Sequence, residues 1–180
     1  MPALILSHNG IAPRIAADAF IAETAVIIGD VEIGPGASIW YGCVLRGDAN
    51  SIRIGARTNI QDGTIIHVNH PRESAVGTKA TIGADVTVGH MALLHACTLE
   101  DSAFVGMKAC VMDGAVVEGG GMVAAGALVT PGKRVKRGEL WAGSPAKLMR
   151  PLSDKERDYL AHASEHYVEL AEEYLKRAAR

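Results

Sequence analysis

The sequence predicts an all-β solenoid of short three-sided coils, closed by a C-terminal helix. Two observations predict it: an aliphatic residue returns every six residues over most of the chain, and the spacing switches to 3,4 at the end. The aliphatic ladder stands at 15, 21, 27, 33, 39 and 45, at 54, 60 and 66, at 82, 88 and 94, and at 99, 105, 111, 117, 123, 129 and 135. Each of these positions holds Ile, Leu or Val, and a small or β-branched residue such as Ala25, Ala37, Cys43, Thr58 or Ala103 typically follows four places later. Period six is neither the helical 3.6 nor simple alternation; a fixed short period marks a repeat in which each hexapeptide supplies one strand and one turn. Three hexapeptides then close one triangular coil, with the aliphatics stacked inside and successive coils about 4.8 Å apart.

Taken in order, the coils are expected from about Ile11 to Val135. It is interrupted between Ile66 and Ile82, where HVNHPRESAVGTKAT reads as a loop thrown out from one corner, and is less regular at Ala49 to Arg53 and Cys97 to Leu99. WAGSPAKLMRP is a Gly- and Pro-rich exit from the coil. Ser153 with Glu156 then forms a capping box, and Leu160, Ala163, Tyr167, Leu170 and Tyr174 define one apolar helix face. The division is therefore a solenoid over 1–150 and one helix of about 25 residues within 151–180, covering the solenoid of its own chain or of a neighbour.

With 180 residues the chain is long enough for one sizeable core. Its 18 Lys and Arg against 20 acidic residues give no net field that would recruit nucleic acid or an anionic membrane, so a small-molecule function is expected. The start MPALILSHNG lacks a basic n-region, and VAAGALV is too short to span a bilayer, which predicts a soluble, cytoplasmic protein. Three cysteines form no CxxC pair, and Cys43, in a slot usually filled by Ala, reads as a small buried thiol.

His67 and His95 each directly follow a ladder residue, Ile66 and Leu94, that share one side of successive coils. Both imidazoles therefore point outward, one above the other, close enough to share a metal ion. His90 lies two residues past Val88, on another side of the triangle. If three protomers pack about a threefold axis, His90 of one completes the site formed by His67 and His95 of the next, giving three equivalent sites. Gln61 points outward after Ile60, and Arg46 after Leu45, two residues before Asp48. His70 reads as loop or as a proton relay, His8 as a free surface residue, and His162 and His166 as a solvated helix face.

In SIWYGCVLRGD (38–48), NIQDGTIIH (59–67), IGADVTVGHMALLH (82–95) and AGSPAK (142–147), the sequence closely resembles the γ-class carbonic anhydrase family of left-handed β-helix proteins. The resemblance implies the left hand of the coil, a homotrimer, and a zinc ion, with Fe2+ or Co2+ as alternatives. It implies His67, His90 and His95 as metal ligands, with His90 supplied across the trimer interface, and Arg46 with Asp48 as an intersubunit ion pair. Asn59 and Gln61 match polar groups near the reactive water, Asp62 the acidic residue beside them, and Tyr167 a helix tyrosine directed at the metal pocket. The implied reaction is reversible hydration of carbon dioxide to bicarbonate.

The chain departs from the family pattern at two places. A glutamate that follows the RGD segment in well-known active members is Ala49 here, and the acidic shuttle loop is reduced to His70 and Glu73. His70 is then the expected shuttle, since imidazole titrates near neutrality. The competing functions are a coenzyme A-dependent hexapeptide acyltransferase with one histidine as general base, a metal-dependent thioesterase, and a metal-stabilised trimeric scaffold.

Overall fold

Residues 3–70, 72 and 79–178 are described by a computed structural model, and they form a left-handed parallel β-helix with a helical segment on one flank. Every ladder residue from Ile27 onward is at most 3% exposed. The three sides are as the period dictates: the first carries Ile33, Ile54 and Ile82, the second Ile39, Ile60 and Val88, and the third Leu45, Ile66 and Leu94, each paired in parallel register. Burial of these aliphatics holds the stack, and main-chain bonds such as Gln61 N–H to the Val88 carbonyl, 3.0 Å, fix the height of each coil.

The solenoid is longer than the ladder at both ends. Leu4–Leu6 already pairs with Val26–Ile28, and Trp141 extends the second side above Val123. The exit segment is itself a hairpin, Glu139–Gly143 against Ala146–Pro151. At Ala49 to Arg53 the strand Val44–Ile54 runs unbroken across a corner, and its offset from Val26–Ile33 grows from Gly29↔Gly47 to Val31↔Ile52. Ala96 absorbs the short step between Leu94 and Leu99 in a left-handed conformation, φ 45°. Beyond the long interruption the ladder resumes at Ala80–Ile82; residues 71 and 73–78, Glu73 among them, lie outside the described residues.

The capping box is present: Ser153 Oγ accepts from Glu156 N–H, and the Glu156 carboxylate accepts from Ser153 N–H. The segment expected as one helix runs as α1 (Asp154–His162) and α2 (Glu165–Ala178), broken at Ala163 and Ser164. Ser164 is buried at the break, where its hydroxyl donates to Asp85 of the solenoid at 3.4 Å. The break serves two separate apolar clusters on the second side. Leu160 of α1 packs with Leu140 and Leu152, while Ala171, Tyr167 and Tyr174 of α2 pack on Phe20, Ala22 and Trp40. The helices thus cover their own solenoid.

Gly29 has φ +77°, and a Cβ there would meet the Gly47 carbonyl oxygen at 2.4 Å. Gly126 has φ +68° with nothing within 4 Å. Gly126→Ala is expected to cost about 1 kcal/mol, the strain of the left-handed region alone, and Gly29→Ala clearly more because a ladder pairing must also yield. Urea unfolding of the two variants compares them directly; equal losses would show that the Gly29–Gly47 approach is not a constraint.

Candidate metal centre

On the third side, His67 and His95 are in register, so their rings stack on adjacent coils. His67 Nδ1 and His95 Nε2 face each other at 3.2 Å. The outer nitrogens are both engaged by carboxylates: His67 Nε2 stands 3.2 Å from Asp48, and His95 Nδ1 3.2 Å from Asp113. Asp48 is itself paired with Arg46 at 2.6 Å, and Asp113 accepts a hydrogen bond from Asn69. Burial pushes the His67 pKa down and outweighs the opposing hydrogen bond to Asp48, with Arg46 adding to the lowering. That favours the neutral imidazole, the form in which it ligates.

These residues fit a zinc-type ion. Two imidazole nitrogens bound at 2.0–2.1 Å in a tetrahedral shell lie about 3.3 Å apart, and ligating histidines commonly present their other N–H to a carboxylate. Among the described residues no third metal-type side chain of the same chain joins the pair. His90 sits on the corner beyond the second side, 42% exposed, and its Nδ1 stands 2.8 Å from Asp62. Like the other two histidines it turns one ring nitrogen to a carboxylate, and in His90 the nitrogen left over is Nε2.

The remaining expected residues divide between the same two sides. Gln61 donates to Asn59 Oδ1 at 3.0 Å, and Asn59 donates to Thr87 Oγ1 at 3.0 Å. Asn59 is wholly buried with its amide committed, and its Oδ1 holds the Gln61 side chain. Tyr167 packs edge-on against Trp40 at 5.5 Å, and burial, reinforced by the charge of Asp62, pushes its pKa up. Arg46 and Asp48 pair with each other within the chain at 2.6 Å. His70 borders a cavity of about 570 Å³ shared with His67, His95 and Asp48, and its Nδ1 accepts from Arg72 N–H at 3.2 Å. His8, read as a free surface residue, borders that cavity too.

Sequence reasoning missed Asp113, Asn69 and this position of His8. Asp113 carried a usable signal, since it stands on the next coil, one residue past the position in register with His95. Asn69 lies in the interruption of the ladder, where the period predicts nothing.

Residues 12–47 match a family described as bacterial transferase hexapeptide, six repeats. Over 89% of its length the chain is 52% identical to "Gamma carbonic anhydrase 2, mitochondrial" of Arabidopsis thaliana, spanning 58% of that protein. Over 95% of its length it is 40% identical to a carbonic anhydrase of Geobacillus kaustophilus, spanning 91% of that protein. The crystal structure of a hexapeptide transferase family protein from Anaplasma phagocytophilum superposes with a TM-score of 0.90 at 49% identity, covering 97% of this chain and 99% of the other.

Asp113→Ala is expected to weaken zinc binding roughly 10–100-fold, because His95 loses the group that fixes its ring. Competition with a chromophoric chelator measures this, and circular dichroism checks that the fold is kept. An unchanged affinity would make Asp113 a bystander.

Proposed function

This chain belongs to the γ-class carbonic anhydrase-like family, and on that premise we propose that it interconverts carbon dioxide and bicarbonate at metal sites shared between the protomers of a homotrimer. One observation carries the reading: three histidines, each with one ring nitrogen turned to an aspartate, lie on two different sides of the solenoid as half-sites. His67 and His95 form one half, and His90 with Gln61, Asp62 and Tyr167 the other. Packing the second-side corner of one chain against the third side of the next unites them. Exposed Met91, Met107, Ile65 and Leu93 lie on that corner and that side, apolar surface of the kind a partner covers.

His67, His95 and a neighbour's His90 would hold a divalent ion, zinc or in its place Fe2+ or Co2+, with one position open. Such an ion supplies Lewis acidity that brings the pKa of water down to about 7, as in carbonic anhydrase. Gln61, locked by Asn59, presents a polar group at a fixed angle beside the site, which suits orienting either the water or carbon dioxide. Asp48, Asp62 and Asp113 hold the imidazoles in one tautomer and orientation.

The transferase wording of the matching family and of the Anaplasma protein favours a second reading, coenzyme A-dependent acyl transfer with one histidine as base. That chemistry has no use for two facing imidazoles backed by carboxylates, so metal analysis of purified protein separates the readings.

Reconstituted with metal under anaerobic conditions, the protein is expected to hydrate carbon dioxide in stopped flow, and His90→Ala to lose both metal and trimer in sedimentation. Full metal content in His90→Ala would remove that ligand. Absence of hydration at full loading would turn the reading toward a scaffold or another hydrolysis.

A further inference from the structure

We propose that His8 is the proton relay of this site, taking the proton released when carbon dioxide is hydrated beside His67 and His95 and passing it to buffer. The inference rests on the hydration reading. The step balances without a redox partner: water and carbon dioxide give bicarbonate and a proton, one ring nitrogen of His8 gains that proton, and the other gives one to a buffer base.

Three observations support it. First, His8 and the His67–His95 pair border the same cavity of about 570 Å³. A second cavity of about 270 Å³ is again bordered by His8, Asp48 and Ala49, so His8 and Ala49 line two openings in common. Second, His8 is held in place. Asn9 and Gly10 take φ 48° and 79°, the pair of left-handed residues of a tight hairpin turn, and His8 and Ile11 exchange both main-chain hydrogen bonds at 2.9 Å.

Third, the alternatives are occupied. His8 has no side-chain hydrogen bond or ion pair among the described residues, so both ring nitrogens are free for a proton to enter on one and leave from the other. His70 has Nδ1 committed to Arg72 N–H. Of the charged groups facing His8, Asp48 is bound by Arg46 and His67, and Asp30 of the second cavity is bound by Arg53. His67 and His95 are already the metal pair.

The test uses the metal-loaded full chain as wild type, His8→Ala and His70→Ala. Carbon dioxide hydration is followed by stopped flow over a series of imidazole buffer concentrations. His8→Ala should turn over roughly tenfold or more slowly at low buffer, recover toward wild type at high imidazole, and keep KM and metal content; His70→Ala is the competing arm, and buffer rescue there with none in His8→Ala overturns the proposal. A second readout needs no turnover. In Co2+-loaded protein the His8 ring resonances, identified by their loss in His8→Ala, should be broadened relative to zinc-loaded protein. Equal buffer dependence in His8→Ala and an active wild type, or His8 resonances indifferent to Co2+, overturns the relay alone. A fully loaded wild type without hydration overturns the hydration reading and the relay together.

Discussion

The structure depends on the stacking of one buried aliphatic per hexapeptide. Because Ile66 and Leu94 are both fully buried and paired in register, the residues that follow them have no freedom in height or direction. His67 and His95 must leave the solenoid from the same side on adjacent coils, which brings nitrogens of the two rings to 3.2 Å. A slip of one residue in that pairing would send one of them inward. The site is thus a by-product of core packing, and its precision comes from the most rigid part of the fold.

Electrostatics then decides what the facing rings can do. Two adjacent imidazoles cannot both be protonated cheaply, and burial already lowers the pKa of His67. Asp48 and Asp113 occupy the outer nitrogens, leaving lone pairs or a shared proton in the gap. Asp48 accepts from Arg46 and His67, and these bonds outweigh burial to keep its pKa below the ordinary carboxylate value. A neutral donor pair backed by anions is a suitable seat for a divalent cation.

One chain holds only half of this arrangement on any one face. Trp40, Tyr167 and Tyr174 cement α2 to the second side, where Asn59, Gln61 and Asp62 stand, while the histidine pair is on the third. A triangular prism cannot bring two of its sides together, so under the proposed function the halves would meet through a second chain. The same geometry explains why the helices pack on their own solenoid: the second side carries the aromatic surface that they bury.

The sequence by itself determined the ladder, the side on which each outward residue stands, and therefore the stacking of His67 on His95 and the separation of His90 from both. It also determined the helix start, since Ser153 and Glu156 cap locally. These features depend on period and short-range chemistry, which a linear chain displays. The tertiary structure alone decided that Asp48, Asp62 and Asp113 back the three histidines, that Asn59 is buried behind Gln61, that the helix breaks at Ser164, and that the Asn9–Gly10 turn sets His8 at the histidine cavity. The physical reason is that a six-residue period fixes direction and height only within an uninterrupted run. Contacts between side chains of different coils depend on how insertions, left-handed corners and the non-repeating ends pack, and those are settled by the folded surface as a whole.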